Sequence, residues 1–131
     1  MEFVFPWPLS QGEWMAWSSA AVTVVFGLFL MFLPRTSLRI LRLRAAEGVP
    51  EAVGEARASM AGFYLGLGLS AMLLAQPLLY LALGLGWAFT AFGRLVSMLA
   101  DRGFTAYNAV NLAVEVALAA LPLAYFFGYV A

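Results

Sequence analysis

Two charged residues stand inside long apolar stretches, Arg94 and Glu115. A charge at the centre of a membrane helix costs about 2.5–3.5 kcal/mol on insertion scales, so it normally turns inward and takes a partner. A guanidinium and a carboxylate on facing helices can close into an ion pair, or line a polar pocket for a ligand or ion. At about 100° per residue, Asn108, Asn111 and Glu115 share one helical face. Thr90, Arg94, Ser97 and Asp101 share a face of the preceding helix. Glu55 and Arg57 stand at the mouth of an earlier helix, and Tyr64 offers a hydroxyl two turns further in.

Other chemistries are closed. The chain has no His and no Cys. A Ser-His-Asp or Cys-His arrangement is therefore impossible, and so is a thiolate metal site. The carboxylates that remain are too few and too dispersed for a convincing active site. No catalytic residue, metal site or cofactor is assigned, and the protein is expected not to be an enzyme. Seven basic residues balance seven acidic ones, so there is no basic field for nucleic acid.

The elements that hold these residues follow from composition. The 131 residues are 64% hydrophobic and 11% charged, and the mean hydropathy is +0.91. Soluble domains average roughly 45–50% apolar and about 25% charged residues. Both a soluble globular domain and a disordered chain are excluded. An all-α polytopic membrane protein remains. Four stretches reach the roughly 20 residues a span needs: 14–33, 58–75, 78–100 and 105–130. They form one transmembrane domain over residues 1–131. Barrel strands alternate apolar and polar residues, and Val22 to Leu33 does not. The first apolar run is too long for a signal peptide's core. Pro77 suits the first turn of the third span, Gly103 a left-handed helix end, and Thr105 the next N-cap. Pro122 is a candidate kink in the fourth span.

Orientation follows from the arginines. Arg35, Arg39, Arg42, Arg44 and Arg57 lie in the first connection and Arg102 in the third. Basic short loops stay in the cytoplasm. Both termini are therefore expected outside the cytoplasmic (inner) membrane of a bacterium, in the periplasm. Residues Thr36 to Ala45 mix leucines with arginines, as a short interfacial amphipathic helix would. The plainer reading of these arginines is a topology signal. Trp7, Trp14, Trp17 and Trp87 suit a headgroup belt near the outer face, Trp87 deepest.

Short second and third connections make helices 2–3 and 3–4 antiparallel neighbours. Arg94 then lies roughly 10 Å and Glu115 roughly 15 Å from the inner ends of their helices, at 1.5 Å per residue. The expectation is a buried pair. Its structural reading is fixed helix register, and its functional reading is a pocket open to the cytoplasm. Gly62 and Gly66 make a Gly-x-x-x-Gly pair on helix 2, for packing within the chain or for a partner. Helix 1, with only Thr23 polar between Val22 and Leu33, is expected to face lipid or a partner.

One set of residues also looks familiar. Glu55, Arg57 and Ala58 lead into a Gly-rich span. Gly93, Arg94 and Leu95 come next with Ser97, Asp101 and Gly103, and Glu115 lies in the last span. The chain resembles a bacterial family of small four-helix integral membrane proteins catalogued only as a domain of unknown function. The resemblance runs from about Val22 to the end. A typical member has Tyr-Gly-Gly after the Glu-x-Arg-Ala motif, where this chain has Met60, Ala61 and Gly62. The resemblance implies the fold and the polar positions, and it implies no activity.

Three functions are weighed. The first is a non-enzymatic module that binds membrane lipids or another apolar ligand, or packs as an accessory subunit. Its partner or second copy would dock through helix 1 or the Gly-rich face of helix 2. The second is a small proton-coupled transporter working as a homodimer. Small multidrug transporters resemble it in span number, but they carry their working Glu in the first span, where this chain has only Glu13 at the edge. The third, an enzyme on a lipid headgroup, is placed last.

Overall fold

A computed structural model describes residues 3–131. Five helices run in chain order: α1 (Gln11–Phe32), α2 (Pro34–Ile40), α3 (Glu51–Leu74), α4 (Pro77–Ala100) and α5 (Ala106–Phe126). All but α2 are long and apolar enough to cross a membrane. Among the described residues there is no strand.

The helix ends are set by local chemistry. Ser10 caps α1 by accepting the Glu13 N–H at 3.1 Å. The Glu13 carboxylate returns to the Leu9 N–H at 3.1 Å, a variant of the reciprocal box that satisfies first-turn donors. Pro34 and Pro77 open α2 and α4, where a missing N–H does no harm. Between α3 and α4, Ala75 is left-handed at φ 49° and Gln76 is extended before the proline. Thr105 caps α5 by accepting the Asn108 N–H at 3.1 Å.

Gly103 does not act as expected. The left-handed residue there is Arg102, at φ 53°. Gly103 serves a close approach instead: a Cβ on it would sit 3.1 Å from both the Ser97 carbonyl oxygen and Asn108 Nδ2. α3 also starts at Glu51 rather than Ala58. Its helical hydrogen bonding runs past the apolar stretch into the charged one, through a π-helical turn at Ala56–Met60. Such a turn inserts one residue and rotates the remainder of the helix about its axis. It leaves Ala56 and Ala61 buried against Leu30 and Leu38, which ties α2 to the bundle.

Helix pairing departs from chain order. α3 lies chiefly on α1, α4 chiefly on α5, and α1 joins the pairs through α5. α3 and α4, consecutive in sequence, touch far less. Small residues decide this, because they let backbones approach. A Cβ on Gly68 would lie 3.1 Å from the Ala20 carbonyl oxygen of α1. A Cβ on Gly84 would lie 2.5 Å from Leu123 Cγ of α5. α1 is therefore not a featureless lipid-facing helix. Ala16, Ser19, Ala20, Thr23, Gly27 and Leu30 form a buried stripe along it, opposite a face of exposed Phe and Val. Gly62 and Gly66, by contrast, face open space: among the described residues, a Cβ on either would meet nothing within 4 Å.

This contrast is testable. Gly84→Ala should destabilise the bundle by about 1–3 kcal/mol through overpacking, visible as a lower thermal midpoint in detergent. Gly62→Ala should leave that midpoint unchanged or raise it. Equal losses at the two glycines would contradict the pairing of α4 with α5.

Candidate functional site

Arg94 leaves α4 seven residues before Asp101, and Glu115 leaves α5 ten residues after Thr105. Antiparallel packing of α4 on α5 brings them level. Arg94 Nε donates to Glu115 Oε1 at 2.6 Å and Nη2 donates to Oε2 at 2.9 Å. This two-pronged fork matches the planar guanidinium to the carboxylate. The side chains keep 22% and 8% of their surface exposed, respectively. Nη1 donates to Asn108 Oδ1 at 2.8 Å. The Asn108 amide is itself held, since Nδ2 donates to the Gly103 carbonyl at 2.8 Å. Gly103, Thr105, Asn108, Arg94 and Glu115 thus form one connected network.

The pair borders a cavity of about 910 Å³ between α1, α3, α4 and α5, under α2 and the segment after it. The polar residues of its wall include Arg94, Glu115, Tyr64, Thr90 and Asn111. Much of the rest is apolar, including Phe26, Phe29, Met60, Val110 and Val114. Phe26, Phe29, Ile40, Val110 and Val114 are also exposed on the bundle surface. The cavity therefore opens between the apolar helices to the surface of the bundle.

Its inner wall holds Trp87, which departs from the expected aromatic belt. It is only 6% exposed and lies midway along α4. Its ring packs on Tyr64 and Phe26, with centroids 5.5 and 6.1 Å away. Its Nε1 donates to Thr23 Oγ1 at 2.8 Å, so the indole needs no headgroup or water partner. Thr23 Oγ1 donates to the Ser19 carbonyl at 2.8 Å, and Ser19 Oγ donates to the Leu118 carbonyl at 2.6 Å. This chain of bonds ties α4, α1 and α5 together. Ser19 and Thr23 carry no charge that would mark them in the sequence. The available signal was their spacing of one turn on the Ala16, Ala20 and Gly27 stripe.

The remaining expected residues divide. Thr90 Oγ1 donates to the Gly86 carbonyl and Asn111 Nδ2 to the Tyr107 carbonyl, each at 2.8 Å, so both donate within their own helices rather than to the pair. Ser97 is half-buried beside Gly103, outside the cavity wall. Glu55 is exposed and accepts from Ser59 Oγ at 2.9 Å. Arg57 Nη1 donates to the Met31 carbonyl at 2.7 Å, tying α3 to the end of α1. Asp101 is exposed. Glu55, Arg57 and Asp101 therefore do not join the Arg94 network: Glu55 and Asp101 are exposed, and Arg57 bonds the end of α1 instead.

Arg42 is a cavity residue that the sequence did not single out. Its guanidinium carbon lies 4.8 Å from the Tyr107 ring centre, a cation–π contact that joins the segment after α2 to α5. Its N–H donates to the Arg39 carbonyl at 3.0 Å, and the Leu43 N–H donates to the Leu38 carbonyl at 2.7 Å. That pair of hydrogen bonds closes a helix around a left-handed residue, usually glycine. Arg42 takes the position at φ 58°, a conformation that costs a side-chain-bearing residue about 1–2 kcal/mol.

The chemistry available is limited and specific. Both Glu115 oxygens accept from Arg94, so the carboxylate is not a free base. Among the described residues, no three His, Cys, Asp or Glu side chains gather into a group that could hold a metal. The site offers a neutral ion pair, hydroxyls and aromatic rings at the inner end of an apolar hollow.

The family model described as "Domain of unknown function (DUF4345)" matches residues 13–126. No curated protein and no solved structure matches the chain. The matched stretch contains the Arg94–Glu115 pair and the cavity around it, and it covers most of the sequence. The chain belongs to the DUF4345 family.

Proposed function

We propose that this protein is a non-enzymatic membrane module that holds an apolar chain with a polar tip. The observation that supports this most is the cavity of about 910 Å³ beside the Arg94–Glu115 pair, with Phe29, Val110 and Val114 both lining it and exposed to the lipid phase. Pockets for small ligands are commonly apolar with a few placed polar groups. The closed ion pair presents no net charge, and a guanidinium has five N–H donors, of which Glu115 and Asn108 take three. A hydroxyl or carbonyl oxygen suits that inner end better than a second carboxylate. We place the protein in a bacterial cytoplasmic membrane with its basic end inward and its termini outward, on the arginine distribution. The accessory-subunit reading draws support from the open Gly62 and Gly66 face of α3. A proton-coupled transporter is disfavoured, because Arg94 engages both oxygens of Glu115 and leaves neither open to the cavity as a lone carboxylate.

The test is co-purification. Wild-type protein extracted in mild detergent should carry lipid detectable by native mass spectrometry. Val114→Trp, which fills the hollow from its α5 wall, should lose most of that lipid while keeping its helical circular dichroism. Wild type stripped bare under the mildest extraction, or a Val114→Trp variant as loaded as wild type, would remove this reading.

A further inference from the structure

The basic end carries a second hollow, of about 480 Å³, lined by Arg35, Arg39, Arg42 and Arg44 with Leu38 and Leu43 among its walls. Arg35 and Arg39 stand one turn apart on α2, so they share a face. None of the four has a carboxylate partner among the described residues. A topology signal requires only that arginines lie in the loop; it does not require them to line one concavity. Guanidiniums gathered without counter-charge repel one another and favour a phosphate, which each can bind through paired N–H donors.

The two hollows adjoin across a shared wall. Arg42 and Leu43 line both. Arg42 keeps a left-handed backbone where glycine is favoured, and it places its side chain over Tyr107 at that junction. A ligand occupying both hollows needs a phosphate at one end and an apolar chain at the other. We propose that the occupant is an anionic phospholipid. Its phosphate lies in the hollow of Arg35, Arg39 and Arg44, and one acyl chain passes Leu43 into the cavity beside Arg94 and Glu115. The proposal rests on the cavity reading above and adds the class of headgroup.

The experiment is a lipid competition on the full chain in mild detergent, read by native mass spectrometry. Dioleoyl phosphatidylglycerol and dioleoyl phosphatidylcholine are offered in equal amounts. Wild type should prefer phosphatidylglycerol by about tenfold or more, since each arginine near the surface contributes roughly a factor of five. The triple variant Arg35→Gln, Arg39→Gln, Arg44→Gln should lose that preference and still bind phosphatidylcholine. Arg39→Gln alone is the milder probe and should lose about fivefold. Preference unchanged in both variants would overturn the headgroup assignment and leave the cavity reading intact. Failure of wild type to bind either lipid would overturn both. Excess inorganic phosphate should not displace the lipid. Displacement of phosphatidylglycerol by phosphate would mark a simple anion site and overturn the proposal.

Discussion

Arg94→Leu should lower the stability of the bundle by about 3–5 kcal/mol, the usual loss when one partner of a buried ion pair is removed. The Glu115 carboxylate would lose both of its donors between α4 and α5, and Asn108 Oδ1 would lose its donor as well. Glu115→Leu should be similarly harmful. The double variant should recover much of the loss, because two leucines remove both charges and leave an apolar contact. The measurement is the unfolding midpoint of all four proteins in one detergent, analysed as a double-mutant cycle. A double variant as damaged as the sum of the singles would show that the two residues are not coupled. Arg94→Lys separates charge from geometry. A lysine keeps the charge but cannot fork onto both carboxylate oxygens and also reach Asn108, so it should fall between wild type and Arg94→Leu.

Trp87→Ala should cost about 3–5 kcal/mol, the range for removing a buried Trp or Phe side chain. Trp87 packs between Tyr64 of α3 and Phe26 of α1 and bonds to Thr23. Its loss would loosen the contact of α4 with α1 and α3, the least supported side of the bundle. Trp87→Phe retains much of the ring contact and removes the N–H, so it should cost only about 1 kcal/mol, the net contribution of one hydrogen bond. Thr23→Val should cost more, about 1–3 kcal/mol, since it leaves the buried Trp87 Nε1–H without an acceptor and also removes the bond to Ser19. An alanine variant no less stable than the phenylalanine variant would contradict the buried position of Trp87.

Local features of this chain are legible in its sequence, and features that depend on a second helix are not. The four spans were legible because the cost of placing polar groups in lipid is read from residue type and run length. Thr105 was legible as a cap because its hydroxyl acts on its own next turn. Arg94 and Glu115 stood out as charges in apolar surroundings, and one antiparallel hairpin suffices to bring them level. Trp87 was misplaced because an indole suits an interface or a core equally, and only Thr23 on another helix decides between them. α1 keeps an exposed apolar face and also buries a stripe that its few polar residues do not mark. In a membrane the packing signal is small size, and Ala16, Ala20 and Gly27 carried it. Gly103 was read for its backbone freedom when its lack of a side chain was the point.

From the sequence alone came the class of protein, the number of spans and the residues whose charge demands explanation. Each of those follows from local composition against a solvent that cannot hydrogen-bond. Tertiary structure alone decided that α3 leans on α1 rather than on α4, that Arg42 sits over Tyr107, and that Phe26, Tyr64, Arg94 and Val114 share one hollow. Those outcomes depend on side chains far apart in the chain meeting at close-packed helix surfaces, and no local pattern of residues encodes that geometry.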